Sequence, residues 1–260
     1  MIFTTALDRP RVRGLIAAVF WLGVWQAAAL ALGNEVLLAS PAKVVGAFAR
    51  LAPTNGFWAS IGYSAARIAG GFAIAAAGGA ALAWVASLNR WLAALIWPAV
   101  RAIRTVPVVC FIVLLLIWAD SSWLSVTISA LMVLPVVYAN VEEGIKRQDE
   151  GLDELARVFA MPARRRWLAI RLPAVLPHFT AACRVGVGLA WKAGVSAEVI
   201  GLPDGSIGDR LYQAKLVLST GDLLCWTVVI VACSFAFEKL VLGALAAFES
   251  WLARGYAKSS

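Results

Sequence analysis

Apolar runs long enough to cross a bilayer recur along the whole chain, and that recurrence restricts its fold more than any other feature. They cover about residues 12–32, 65–88, 122–141, 174–200 and 223–248. A helix needs about 20 consecutive apolar residues to cross the hydrocarbon core. Only helices and closed barrels satisfy every backbone polar group there. Hydrophobic residues make up 62% of the 260 and charged residues 15%, against about 45–50% and about 25% in soluble domains. Lipid is therefore the solvent, and the expected fold is an all-α polytopic membrane protein.

One further region, about 91–118, is interrupted by Pro98 and Pro107. Interior proline removes a helix hydrogen bond and kinks or breaks the helix. The expectation is a short helix to about Arg104 and a span starting at Pro107, giving about six spans in all. The first run follows Arg9, Arg11 and Arg13, as in a signal peptide, but it is long, contains Trp21, Trp25 and Gln26, and reads as a retained helix. The second run is rich in Ala and Gly. It offers two small-residue lines, Ala73, Ala77, Ala81 and Ala75, Gly79, Ala83, either of which lets helices approach closely. Trp58, Trp91, Trp118, Trp123 and Trp251 lie near proposed span ends, as interfacial anchors do.

The net charge is +8. In a soluble chain that would raise nucleic acid as a partner. Here the basic residues follow the positive-inside rule, and no nucleic-acid role is expected. Arg9, Arg11 and Arg13, then Arg90, then Lys146, Arg147, Arg157, Arg164, Arg165, Arg166 and Arg171, then Arg254 and Lys258 all fall on one side of a six-span chain. That places both termini and the loop between the fourth and fifth spans in the cytoplasm.

Cys110, Cys183, Cys225 and Cys233 lie in apolar stretches without CxxC spacing, as small packing residues. The phosphate-loop, dinucleotide and zinc-protease motifs are absent, as is the nucleophile elbow. His178 is the one histidine. No catalytic residue, metal ligand or cofactor is assigned.

The cytoplasmic loop carries DELARVFAMPARRRWLAIRLPAVLP at 153–177. Leu152, Leu155, Ala156 and Phe159 form one apolar helical stripe, with Asp153, Glu154 and Arg157 beside it. Met161-Pro162 ends this helix, since the residue before proline disfavours the α region. A second short helix is expected to start at Pro162 and close at Pro173. Such a segment can rest on lipid headgroups or dock in a protein groove, and spacing leaves both open.

The same stretch resembles the coupling loop of permease subunits of binding-protein-dependent ABC importers. The family pattern is E-A-A, a glycine, nine residues, then I-x-L-P. Here stand Glu154-Leu155-Ala156, then Ala160, then Ile170-Arg171-Leu172-Pro173. Leu155 replaces the middle alanine and Ala160 the glycine, which shifts the expected bend to Pro162. Four more stretches are similar to the nitrate/sulfonate/taurine branch: LLASPAKVVGAF at 37–48, Arg67 to Phe72, Arg104-Thr105-Val106-Pro107, and AEVIGLPDGSIGDRLYQA at 197–214.

The resemblance implies a type I ABC importer permease in a bacterial cytoplasmic membrane. It implies a homodimer with two ATPase subunits, which bind the ATP, and a substrate-binding protein. Glu154, Leu155, Ala156, Arg157, Ala160, Ile170, Leu172 and Pro173 would form the ATPase-coupling loop. Residues 1–62 would be tail, first helix and periplasmic segment, 63–250 the permease core with its loop at about 142–173, and 251–260 the cytoplasmic tail. Arg184, Lys192 and Glu198 fall inside the fifth span. Charges at that depth cost about 2.5–3.5 kcal/mol on insertion scales and default to functional candidates, here a path for a small anion. An ion pair or snorkelling would also explain Arg184 and Glu198. A gradient-driven transporter and a membrane scaffold are the competing classes, and the coupling loop argues against both.

Overall fold

The computed structural model describes the backbone of residues 10–148 and 150–257; the side chains of 10, 11, 150, 153, 157, 163, 164, 168 and 251–257 lie outside it. It is helical throughout, with no strand among the described residues. Among the described residues five helices are long and apolar enough to cross a membrane, or six spans if one bent pair counts as one. These are α1 (Pro10–Leu32), α3 (Asn55–Leu88), α6 (Leu124–Lys146), α9 (Leu172–Gly201) and α11 (Thr220–Ala257), with the pair α4 (Arg90–Thr105) and α5 (Val108–Trp118). Two shorter helices, α2 (Pro41–Leu51) and α10 (Ile207–Leu216), precede α3 and α11. The loop holds α7 (Glu150–Val158) and a single turn, α8 (Ala163–Arg166).

The third region breaks where expected, but the part after Pro107 is too short to be a span by itself. Pro98 sits inside an unbroken α4, whereas the chain turns by 104° between α4 and α5. Val106 takes an extended conformation before Pro107, as the proline ring requires of its predecessor. The 11 residues of α5 span only about 16 Å, too little to cross alone. Helix α3 starts at Asn55, ten residues ahead of the expected span, where the Thr54 hydroxyl caps the Phe57 N–H.

The core is the packing of α3, α6 and α9, with Ile68, Ala75, Val133, Val187 and Ala190 fully buried. Of the two small-residue lines on α3, the one through Ala75, Gly79 and Ala83 packs inward, while Ala73, Ala77 and Ala81 face outward. A methyl at Gly71 would lie 2.3 Å from the Val126 carbonyl oxygen, so the α3 and α6 backbones touch there. Cys183 and Cys225 are buried as packing residues, but Cys110 is exposed. Trp58, Trp91, Trp118 and Trp123 are exposed near helix ends; the Trp251 side chain lies outside the described residues.

Candidate functional site

Helix α7 ends in a left-handed cap. Ala160 takes φ +49°, and the Met161 N–H donates to the Ala156 carbonyl at 2.9 Å. That is the six-to-one bond of a Schellman motif, with alanine where glycine is usual. The bend therefore sits at Ala160, not at Pro162, because these bonds satisfy the last helical carbonyls. A left-handed alanine costs roughly 1–2 kcal/mol. Ala160→Gly is accordingly expected to slow exchange of the Met161 amide by about fivefold, checked by hydrogen exchange.

The second helix does not close at Pro173. After α8 a π-helical turn, Trp167–Arg171, leads directly into α9. Its Leu172 N–H donates to the Trp167 carbonyl. The wider turn gives the Pro173 ring room that an α-helical register would deny it. Trp167 stands edge-on to Trp84 of α3, ring centroids 6.0 Å apart, and so ties the loop to the bundle.

Along the α7 stripe only Ala156 is covered by this chain; Leu152, Leu155 and Phe159 are 48%, 54% and 74% exposed. Glu154 is exposed beside them, Ile170 and Leu172 are half-buried, and Pro173 is exposed. The Arg157 side chain lies outside the described residues. The loop thus presents an apolar row and a carboxylate outward on a segment anchored at its far end.

Glu198 lies elsewhere, fully buried near the end of α9. Ser64 Oγ of α3 donates to its Oε2 at 2.7 Å, and Ser125 Oγ of α6 to its Oε1 at 2.9 Å. The Gly208 N–H of α10 donates to Oε2 at 3.4 Å. Ser64 Oγ also accepts the Ile207 N–H at 2.9 Å. A methyl at Gly208 would fall 2.3 Å from the Glu198 carbonyl carbon, so only glycine admits this approach. One carboxylate therefore joins four helices. Its partners are hydroxyls and an amide rather than the ion-pair partner the sequence suggested.

Arg184 and Lys192 are exposed on α9, as is Ser196, and Arg184 stands about 21 Å along the helix from Glu198. Lys192 and Glu198 are separated by roughly 120° around the helix. The structure therefore does not bring the three charges together. His178, within α9, packs close against Gly144 of α6. No cluster suited to a metal ion occurs among the described residues.

Sequence reasoning missed Ser64, Ser125 and Gly208. A signal was present: Ser60/Ser64 and Ser125/Ser129, two pairs spaced four apart, are all buried, and such hydroxyls bond across membrane helices.

A family model described as "Binding-protein-dependent transport system inner membrane component" matches residues 73–254, from within α3 to near the end of α11. The chain belongs to this family. Similar proteins include a permease protein of Escherichia coli named for aliphatic sulfonates transport, 30% identical over 81% of this chain and 80% of that one. The nitrate import permease protein of Synechococcus elongatus is 26% identical over 79% and 77% of the two chains. The bicarbonate transport system permease protein of the same species is 25% identical over 76% and 70%. This family member is thus an ABC transporter permease, a multi-pass membrane protein with the type I permease fold.

Proposed function

We propose that the chain is the membrane subunit of an ATP-driven importer that passes a small anion delivered by a separate binding protein. ATP would be bound and hydrolysed by two partner ATPases, each receiving the loop of one permease in a homodimer. Both termini and the loop would be cytoplasmic, with residues 63–250 as the transporting core, 1–62 as its lead-in and 251–260 as its tail. The observation that carries this reading is the α7 stripe. Leu155 and Phe159 are 54% and 74% exposed on a charged segment rich in arginine, which suits a partner's groove. Ala156 and Ala160 are small enough for close approach, and Glu154 supplies the polar contact.

The anion would be a sulfonate, nitrate or bicarbonate, by similarity to the relatives named above. Arg184 and Lys192 on the exposed face of α9 would line its path, Lys192 nearer the middle. Glu198 would act from the core by holding α10 to the spans. Co-purification tests the assembly: an ATPase subunit retained by the intact chain, and lost when Leu155 and Phe159 become lysine, supports it. Lys192→Met is expected to lower anion uptake by the assembled transporter about tenfold. Unchanged uptake and solute preference in that variant would remove Lys192 from the path.

A further inference from the structure

A second polar feature lies between α4 and α6, apart from the loop, the Glu198 node and the exposed α9 face. Trp97, Arg101, Arg104 and Thr105 recur at three- and four-residue spacing on α4, and Tyr138 and Glu142 face them from α6 across a cavity of about 440 Å³. Ligand pockets run from roughly 300 to 1,000 Å³. The Arg101 guanidinium lies 4.8 Å from the Trp97 ring centroid, which steadies its plane. Neither Arg101 nor Arg104 is ion-paired with a carboxylate among the described residues. The one carboxylate on the wall, Glu142, is engaged by Lys146 at 2.7 Å.

Tyr138 adds an independent observation. The residue is 2% exposed, yet its hydroxyl has no hydrogen-bond partner among the described residues. Tyr138 precedes Glu142 by one helical turn on α6, and both residues line the cavity. A buried hydroxyl normally finds a partner, and each exception calls for an explanation. Two guanidinium groups without a carboxylate partner among the described residues, and one idle donor, belong to residues that line a space of ligand size.

We infer that this cavity binds a small oxoanion, held by Arg101 and Arg104 with the Tyr138 hydroxyl as a third donor. Planar guanidinium groups suit oxoanions because they donate two parallel hydrogen bonds. The source could be a transported sulfonate or the phosphate of a phospholipid, and these two differ in what must be added. The inference rests on the proposed function only for the identity of the transported solute. Binding is read on this chain without its partners, so a failure of ATPase coupling would leave it standing.

The test uses the full chain in phospholipid-free detergent, titrated with sodium methanesulfonate against sodium chloride at equal ionic strength. Calorimetry should show saturable binding of methanesulfonate beyond chloride. Native mass spectrometry of chain taken from membranes reads the other source, as a retained phospholipid. Arg104→Gln should weaken whichever is seen about tenfold or more, and Tyr138→Phe about fivefold. Tyr138→Phe should leave the thermal stability of the empty chain unchanged or higher, since the hydroxyl bonds nothing there. Retained binding in both variants overturns the inference. So does the absence of both methanesulfonate binding and retained phospholipid in the unaltered chain.

Discussion

Glu154→Lys is expected to reduce ATP-dependent uptake by about tenfold or more while leaving insertion and stability intact. The side chain is exposed on α7, and the bundle does not depend on it. What changes is the outward face of the loop, where a carboxylate beside Leu155 becomes a cation among arginines. Coupling free energies between sites are typically about 1–3 kcal/mol, or roughly 5–150-fold. Loss of a polar contact and its replacement by a like charge should consume most of that range. Glu154→Gln, which keeps the shape, should fall between the two. Uptake and ATP hydrolysis by the assembled transporter in vesicles check this pair. Hydrolysis that continues while uptake falls is the signature of uncoupling. Equal transport by Glu154→Lys and the unaltered chain would remove Glu154 from the interface.

The second large effect is on stability. Glu198→Ala should destabilise the chain by about 2–5 kcal/mol, since each buried polar group left unsatisfied costs roughly 1–3 kcal/mol. The hydroxyls of Ser64 and Ser125 and the Gly208 N–H would all lose their acceptor. Serine hydroxyls can turn back to their own helix carbonyls, which keeps the total below a simple sum. Helix α10 should loosen first, because Gly208 loses its partner and Ile207 is held through Ser64. Glu198→Gln keeps one acceptor oxygen and should cost less. Hydrogen exchange of the Ile207 and Gly208 amides, alongside thermal unfolding in detergent, measures both effects. Unchanged protection of these amides in Glu198→Ala would show that α10 does not depend on the carboxylate.

Much of the bundle was legible in the sequence because the bilayer leaves few solutions. Residues 12–32, 65–88, 174–200 and 223–248 each fall within one observed helix, and 122–141 begins in the 3-10 turn that leads into α6. The departures come from local geometry that composition does not carry. Pro98 and Pro107 look alike as helix breakers, yet one is accommodated in α4 and the other stands at the 104° turn. Pro173 reads as a stop signal, but a π-helical turn absorbs it. Ala160 lacks the conformational freedom of glycine and still takes the left-handed position, because the cap bonds outweigh the strain.

The site was legible in uneven measure. The α7 stripe follows from residue spacing, and its exposure needed the structure. The Glu198 node was hidden for a different reason. Its partners Ser64 and Ser125 lie 134 and 73 residues away, beyond any local pattern. Ser64 also falls just before residue 65, where the second apolar run begins. The cavity between α4 and α6 depends on the bend before Pro107, and a straight third span would not have placed Arg101 and Arg104 opposite Tyr138.

The central claim is that ATP hydrolysis by a partner drives this chain through the α7 loop. Uptake of a radiolabelled sulfonate or nitrate into vesicles tests it most directly. The vesicles would hold the chain alone, or the chain with its ATPase subunits and binding protein. The account predicts uptake only when ATPase, binding protein and ATP are all present, and its loss when Leu155 and Phe159 are replaced by lysine. Uptake by the chain alone, driven by an ion gradient without ATP, would contradict it.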